Sequence, residues 1–228
     1  MVGSVPPAVC SAAAAILMLP LPRRPLDPGD PAEAADPCGP GDPSGPADRI
    51  RGWYENELGW PTVPGEPVRL SVGERFDVLD VPAEAGLAAL RRLAPGSPVA
   101  VRGDRMLLLV AAGGAEEVPG ILRWLEWGTL PLDLTATGAG GLIEAPLPPP
   151  GTDQGRGRGP DHPGPVQGAA VWLRPPVAGR EAEASLPTMS ALGGVGGAPD
   201  LVRLVDTLAT HCHRVRLRRA SAQPLAFS

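Results

Sequence analysis

The sequence predicts an α+β domain in which a mixed β-sheet is flanked by helices. Segments with a helical period alternate along the chain with short apolar runs that have the length and composition of strands. Gly103-Asp104 separates two of these runs and is typical of a two-residue hairpin turn, so at least one strand connection is antiparallel. Hydrophobic residues make up 43% of the 228 residues, enough for a core, whereas 31 Pro and 30 Gly indicate long irregular stretches.

The N-terminal part of the chain is expected to be disordered over residues 1–47, because Pro, Gly and Asp dominate there without a helical or strand period. Order is expected to begin at Asp48, which is a suitable N-cap residue. Apolar residues from Ile50 to Leu58 then recur at helical spacing, and Gly59 ends this first helix.

The next predicted elements are a strand at Val68–Val72, a strand at Phe76–Val81 and a helix at Pro82–Leu93. A helix accepts proline in its first turn, which suits Pro82. Three leucines are predicted to form the apolar face of this helix, namely Leu87, Leu90 and Leu93.

The hairpin turn is predicted to join a strand at Val99–Arg102 to a strand at Arg105–Ala111. A helix is expected over Ala115–Trp127, because apolar residues recur there at helical spacing and two glutamates suit its first turn. The remaining strands are predicted at Leu130–Thr135 and Leu142–Ala145, on either side of a Gly-rich turn, and at Ala169–Arg174.

Two long loops and one long helix complete the predicted domain. Residues 146–168 include 13 Pro or Gly in 23 positions and are expected to form a mobile surface loop, and residues 175–198 form a second loop. Apolar residues form one continuous stripe over Leu201–Val215 and predict the last helix. The folded domain is therefore expected to span residues 48–215, followed by a basic tail at 216–228.

Charge and cysteine content restrict the class and compartment. The net charge of −5 argues against a protein coated with positive charge along its length, and all 20 basic residues are Arg. Three cysteines without metal-like spacing favour a reducing compartment. The apolar run Ala12–Leu19 is too short to cross a bilayer. We therefore expect a cytoplasmic protein without a membrane partner, with Met1 and Met18 both open as its start.

Three sequence motifs occur one after another within Trp53–Trp172, which is about half of the chain. They are FDVLDVPAEAG at Phe76–Gly86, the strand Met106–Val110, and LDLTATGAGGLIEAPLPPPG at Leu132–Gly151. Together they resemble the N-terminal domain of bacterial bifunctional DNA primase/polymerases, the Prim-Pol branch of the archaeo-eukaryotic primase superfamily. The resemblance implies an RRM-like palm in which an Asp-x-Asp pair and a later Asp hold divalent metal for phosphoryl transfer.

Carried over by position, the resemblance implies that Asp80 and Asp133 are vestigial metal ligands for Mg²⁺ or Mn²⁺. Pro82 replaces the second carboxylate of the Asp-x-Asp pair, and the family's histidine is missing. Residues two apart on a strand share a face, whereas residues three apart lie on opposite faces. Asp77 is three residues from Asp80, so it cannot supply the second carboxylate in place of Pro82. Asp77 is expected to be a solvated acid of the strand face. Two-metal catalysis needs several shared oxygens, so a two-ion site is unsupported.

Alternative structural roles stay open for the two remaining acids. Asp80 is either a vestigial ligand or the cap of the helix that follows it. Asp133 is either a ligand or a hydrogen-bonded structural residue, since an unpaired buried carboxylate is costly. The glycines of Gly138–Gly141 join two strands and favour a turn over a phosphate loop. Adjacent residues in His211–His213 point in different directions on a helix, so a metal site is disfavoured there.

The aromatic and basic residues also allow two interpretations. The five tryptophans are expected to be mostly core, with one or two available to stack bases. Arg214, Arg216, Arg218 and Arg219 either bind nucleic-acid phosphates or provide favourable charge at a helix C-terminus. If all four bound single-stranded nucleic acid, log K would fall with log salt at a slope of roughly −2.8.

These observations lead to a functional hypothesis. The chain is expected to be a catalytically degenerate DNA primase/polymerase-like domain that binds a nucleotide or single-stranded nucleic acid as a binding or regulatory module. An active, metal-dependent nucleotidyltransferase is one alternative. A protein-interaction scaffold with a protein partner and no nucleic-acid role is the other.

Overall fold

The structure is a computed structural model, and it describes residues 45–150, 168–177, 182–189 and 200–222. All of these residues belong to one compact unit that covers residues 42–228. The expectations for residues 1–44, and for most of the two predicted loops, lie outside the described residues. No helix among the described residues is long and apolar enough to cross a membrane.

The described elements alternate between helix and strand. The α-helices are α1 (Pro46–Gly52), α2 (Ala83–Ala89), α3 (Gly114–Trp124) and α4 (Leu201–Ser221). Short turns of π or 3₁₀ helix lie at Trp53–Leu58, Leu90–Arg92 and Ala182–Ser185. The strands are β1 (Thr62–Val63), β2 (Arg69–Ser71), β3 (Phe76–Pro82), β4 (Val99–Arg102), β5 (Arg105–Ala111), β6 (Thr135–Thr137), β7 (Leu142–Glu144) and β8 (Val171–Arg174).

The strands form two sheets, which confirms the predicted α+β class. One sheet has five strands in the order β6-β3-β5-β4-β8, and the other has three in the order β1-β2-β7. Every ladder is antiparallel, and parallel pairing among the described residues is limited to two single bridges. From β3 to β6 the chain runs β-α-β-β-α-β and the strands lie in the order fourth, first, third, second, which is the split βαβ arrangement.

The five-stranded sheet is buried on both faces. Helices α2, α3 and α4 cover one face, where Leu79, Val81 and Leu108 are buried. The other face packs Phe76 and Val78 against the aromatic residues that precede the small sheet. Because both faces are dry, β3 and β5 are apolar along most of their length and do not alternate with polar residues.

The predicted hairpin between β4 and β5 is confirmed. Gly103 has a φ of 58°, a left-handed conformation that glycine adopts without strain. The turn places Arg102 directly opposite Arg105 at the end of the sheet. Two like charges are therefore held side by side on neighbouring strands, an arrangement that needs nearby acids.

The first helix begins earlier than predicted. It starts at Pro46, and Asp48 lies in its first turn, where its carboxylate accepts a hydrogen bond from Arg51 at 2.9 Å. Asp48 is therefore not the N-cap. Proline is favoured at the first helical position because its ring fixes φ near the helical value, which explains the earlier start.

The predicted apolar face of the second helix is wrong at Leu87, whose side chain is 56% exposed. The buried residues of α2 are instead the small ones, Ala85, Gly86 and Ala89. A side chain at Gly86 would lie 2.4 Å from the sulfur of Met106, so α2 packs against β5 more closely than leucine allows. Small residues on the inner face turn the larger leucine outward.

Three boundaries in the second half of the chain differ from the predictions. Leu130–Leu134 lie outside the ladders and β6 begins only at Thr135, because Leu132 and Leu134 pack on the helical side of the core. Strands β6 and β7 do not pair with each other; the turn at Gly138–Gly141 carries the chain from one sheet to the other. Helix α3 ends at Trp124. Residues 216–221 continue α4 and do not form a separate tail.

Candidate functional site

Asp80 lies on the sheet face that the helices do not cover. Side chains alternate along β3, so Leu79 and Val81 enter the helical core while Asp80 and Pro82 share the opposite face. Asp77 and Asp80 are consequently on opposite faces, as predicted. The position of the missing second carboxylate is therefore next to Asp80, and a buried proline ring occupies it.

A single guanidinium binds both of the predicted metal-ligand acids. Nε of Arg105 donates to Oδ1 of Asp80 at 2.7 Å, and Nη1 donates to Oδ1 of Asp133 at 2.5 Å. Nη2 of the same side chain donates to the backbone oxygen of Asp80 at 3.0 Å. The structure thus brings Asp80 and Asp133 together, as the resemblance implies, but it places an arginine between them.

Arg102 adds a second positive charge at the same place. Its Nη2 lies 3.4 Å from Oδ2 of Asp80, so this carboxylate faces two guanidinium groups. Burial alone lowers the pKa of Arg105, but the hydrogen bonds and negative charges of Asp80 and Asp133 outweigh burial and raise it. Arg105 is therefore held in its charged form by the two acids. We call Asp80, Arg102, Arg105 and Asp133 the arginine–carboxylate network.

The network does not fit a divalent cation as it stands. Asp80 and Asp133 offer two carboxylates, and both already accept hydrogen bonds from Arg105. Among the described residues, no group of three or more His, Cys, Asp or Glu side chains is placed to hold a metal ion. The alternative in which Asp80 caps α2 is wrong, because no side chain caps that helix; the N–H of Ala83 donates to the backbone oxygen of Asp104 at 2.7 Å.

Asp77 is fully buried, so the expectation of a solvated acid is wrong. Its Oδ2 accepts a hydrogen bond from the N–H of Ala115 at 2.8 Å, in the first turn of α3. Burial raises the pKa of Asp77 despite this bond, and the nearby charge of Glu116 adds to the rise. Asp77 therefore ties β3 to the N-terminus of α3, where a carboxylate is favoured by the free N–H groups.

The residues His211–His213 point to three different surroundings and do not converge. Cys212 is buried in the helical core, with its sulfur 3.6 Å from the backbone oxygen of Asp133, and burial raises its pKa to about 12. His213 packs against Trp127, with ring centroids 5.9 Å apart. His211 lies on the opposite side of α4, close to arginines.

Three of the four predicted nucleic-acid-binding arginines contact the protein itself. Arg218 lies 2.9 Å from Glu84, and Arg219 lies 3.5 Å from Asp104 and 3.6 Å from Asp133. Nη1 of Arg216 donates to the backbone oxygen of Pro131 at 2.7 Å. Arg214 is exposed, and no carboxylate among the described residues lies within 4 Å of it.

No sequence pattern singled out Arg102 and Arg105 as residues that bind the two acids. The hairpin turn alone places Arg102 opposite Arg105, so that pair had a signal in the sequence. The pairing of Pro82 with Arg105 had no signal in the sequence, because it depends on the register between β3 and β5.

The aromatic residues are mainly structural. Trp53 and Trp60 are buried, and the Tyr54 hydroxyl donates to the Pro146 oxygen at 2.6 Å while it accepts from Nε1 of Trp172 at 3.0 Å. Trp124 differs, because its side chain is 75% exposed at the end of α3. It is the tryptophan most available for stacking among the described residues.

Comparisons with known proteins give no match for the chain, whether against protein-family models, curated proteins or solved structures. The fold and the site therefore define the class: an α+β domain with a split βαβ sheet whose converging acids are bridged by arginine.

Proposed function

We propose that this chain is a catalytically degenerate primase/polymerase-like domain that binds a nucleotide or single-stranded nucleic acid without extending it. One observation carries the proposal: the guanidinium of Arg105 binds both Asp80 and Asp133, the two acids that the family resemblance assigns to divalent metal. An organic cation thus takes the place of the ion between the two carboxylates.

Arg105 neutralises the acids but supplies none of the chemistry of a metal ion. Two-metal phosphoryl transfer needs ions roughly 3.5–4 Å apart that are clamped by shared oxygens. The side chain of the proline at position 82 offers no oxygen, and a metal ion would have to displace the hydrogen bonds of Arg105. The network therefore stabilises the end of the sheet and does not act as a reactive centre.

The topology supports the palm-like part of the proposal. The split βαβ sheet places β6 next to β3, with Thr135 opposite Asp80. Asp133 precedes β6 by two residues and so reaches the same end of the sheet as Asp80. This is the placement that the resemblance implies for the first and the last acid of an RRM-like palm, and it supports an origin from a metal-binding site.

Exposed groups support binding to nucleic acid. Trp124 presents an aromatic ring at the surface, and aromatic rings stack on bases without sequence preference. Arg91 and Arg214 are exposed on the helical side of the domain. A modest, salt-dependent affinity for single strands follows from this combination, since the chain as a whole is acidic.

Two assays on the purified full chain test the proposal. Primer extension with Mg²⁺ or Mn²⁺ should show no incorporation of nucleotide, with an active Prim-Pol enzyme as the positive control. Fluorescence anisotropy with a labelled single-stranded oligonucleotide should show binding that weakens with salt and does not need divalent metal. Incorporation that is abolished by Asp80→Ala would overturn the degenerate assignment, and absence of oligonucleotide and nucleotide binding would overturn the binding role.

A protein-interaction scaffold is the second candidate, favoured by the exposed apolar side chains of Trp124 and Leu217. Trp124 is 75% exposed and Leu217 is 53% exposed, and large apolar side chains at the surface often mark contacts with other proteins. This function predicts no salt-dependent binding of oligonucleotides. It also predicts that Trp124→Ala weakens the association with an identified partner while the unfolding temperature stays unchanged.

A further inference from the structure

We infer that the phosphates of single-stranded nucleic acid bind on the surface between α2 and α4, at Arg91, His211 and Arg214. This inference rests on the proposed function and names the surface that carries it out. We call these three residues the basic face. It differs from the predicted set of four arginines on α4, and it contains none of the four residues of the arginine–carboxylate network.

Contacts at both ends of α2 place the basic face between the two helices. At the start of α2, Glu84 pairs with Arg218 at 2.9 Å. Just after α2, Nε of Arg92 donates to Oγ1 of Thr207 at 3.3 Å. The sequence numbers rise along α2 and fall along α4, so the two helices run antiparallel, and Arg91 comes to lie beside His211.

The periodicity of the helices aligns the basic residues along one groove. On α4, positions 211, 214 and 218 are separated by three and four residues and share one side of the helix. On the other side of the groove, Glu84, Leu87 and Arg91 repeat in the same way through α2 and the turn that follows it. Between Glu84 and Arg91, the exposed side chain of Leu87 offers an apolar contact for a sugar or base.

The arginines of the basic face lack the acidic partners that the other arginines have. Within the described ranges, no carboxylate lies within 4 Å of Arg91 or Arg214, whereas Arg218 and Arg219 both pair with acids. A phosphate can therefore bind Arg91 and Arg214 without displacing an existing ion pair. Binding to Arg219 would require the loss of its contacts with Asp104 and Asp133.

The environment of His211 shows that positive charge gathers here. Burial lowers the pKa of His211, and the charges of Arg214, Arg91 and Arg218 lower it further. A positive field strong enough to disfavour a second cation favours an anion. Glu84 is the acid that faces the groove from α2, and it is bound to Arg218.

The dimensions of the basic face suit a short stretch of single strand. Helix α4 rises about 1.5 Å per residue, so His211 and Arg214 are about 4.5 Å apart along its axis. A stacked strand carries one phosphate per about 3.4 Å, so about two phosphates fit beside this length of helix. The face is therefore a local contact and not a long channel.

The test compares two double substitutions that each remove two positive charges. Arg91→Gln with Arg214→Gln removes the arginines of the basic face, and Arg216→Gln with Arg219→Gln removes two from the same helix as a matched control. Binding of a fluorescein-labelled oligothymidine is measured by anisotropy from 50 to 300 mM NaCl at pH 8. Thermal unfolding of each variant establishes that the fold is intact.

We expect the first pair to weaken binding about tenfold or more at the lowest salt and to reduce the magnitude of the log K–log salt slope by about 1.4, the value for two contacts with a single strand. The control pair should keep the slope of the unmodified chain. If both pairs weaken binding equally, or the control pair weakens it more, the basic face is wrong while the proposed function stands. If the unmodified chain binds no oligonucleotide, the basic face is wrong, and if it binds no nucleotide either, the proposed function is wrong as well.

Discussion

The arginine–carboxylate network and the basic face contain the same kind of side chain in opposite surroundings. In the network, Arg105 has an acid on each side and Arg102 shares one of them. On the basic face, Arg91 and Arg214 have no carboxylate within 4 Å in the described part of the chain. The number of arginines in a region therefore does not by itself indicate a phosphate site. The relevant quantity is the number of arginines that are not already paired with a carboxylate.

The two regions therefore make different contributions. Charges in the network are largely satisfied and partly removed from water, so they stabilise the end of the sheet. Charges on the basic face repel each other until a ligand arrives, so they cost stability and provide affinity.

Arg105→Ala should have the largest effect, because it leaves Asp80 and Asp133 without their shared cation. Removal of one partner costs about 3–5 kcal/mol in a fully buried ion pair. Because the side chains of Arg105 and Asp80 are 22% and 20% exposed, we expect a loss of about 2 kcal/mol in the free energy of unfolding. Urea unfolding measures it, with Arg75→Ala as the control.

Arg75 suits this control because it pairs with Glu183 at 3.0 Å while both side chains are more than 40% exposed. Its removal should cost at most about 0.5 kcal/mol. Equal losses for the two variants would show that the network is no more than an ordinary surface ion pair, and the distinction between the two regions would then lose its energetic basis.

Asp77→Asn should have an intermediate effect that depends on pH. Asp77 forms no ion pair with an arginine among the described residues, and burial raises its pKa in the folded protein above that of the unfolded chain. The protonated form is therefore favoured by folding; its stabilisation is full below about pH 4 and is lost as pH rises through the folded pKa. As the pH rises from 4 to 7, the variant should therefore become more stable relative to the unmodified chain.

The measurement for Asp77 is urea unfolding of both proteins at pH 4, 5.5 and 7. Asparagine keeps an oxygen that can accept from the N–H of Ala115, so the helix contact is retained. A difference between the two proteins that does not change with pH would contradict the prediction. In that case, Asp77 would behave like Asp80 and Asp133, whose negative charges are balanced by Arg105.

Arg214→Gln and Arg219→Gln should have small effects of opposite sign. Removal of Arg219 loses contacts of 3.5 and 3.6 Å with two acids and should destabilise by at most about 0.5 kcal/mol. Removal of Arg214 relieves its repulsion with Arg91 and should stabilise by a few tenths of a kcal/mol. Unfolding temperatures at 50 and 500 mM NaCl measure both effects, and the higher salt should shrink them. The same sign for both variants would contradict the comparison.

Cys212 should give no reaction at all in the folded protein. Its thiol lies beneath the network, it is completely buried, and burial raises its pKa to about 12. A thiol reagent at pH 8 should therefore leave it unmodified until guanidinium unfolds the chain, since the thiolate is the reactive form. The assay uses a chain with Cys10→Ser and Cys38→Ser. Rapid labelling without denaturant would show that the region around Asp133 opens readily.

Local patterns predicted the fold better than they predicted the site. The hairpin turn, the apolar stripe of α4 and the strand at Phe76–Val81 are all encoded within short segments, so the α+β class followed from the sequence. The family resemblance also implied that Asp80 and Asp133 lie close together, and both acids bind Arg105. The role of Arg105 did not, because it depends on which residue of β5 lies opposite Pro82.

The sequence failed where long-range packing outweighed a local preference. Leu87 was expected in the core because of its spacing, yet the tight approach of α2 to β5 turned it outward. Asp77 was expected in water because it is charged, yet the N-terminus of α3, 38 residues later, provides a partner. In both cases the decisive neighbour is distant in the chain and leaves no trace in the local pattern.

Gly86 has a consequence for ligand recognition that its own chemistry does not suggest. Because only a hydrogen atom fits between α2 and Met106, any larger residue at this position would push the helix away from the sheet. Arg91, in the short 3₁₀ turn that follows that helix, would then change its position relative to Arg214. The distance between the two cationic side chains at the surface thus depends on Gly86, a buried residue that a ligand in solution cannot contact.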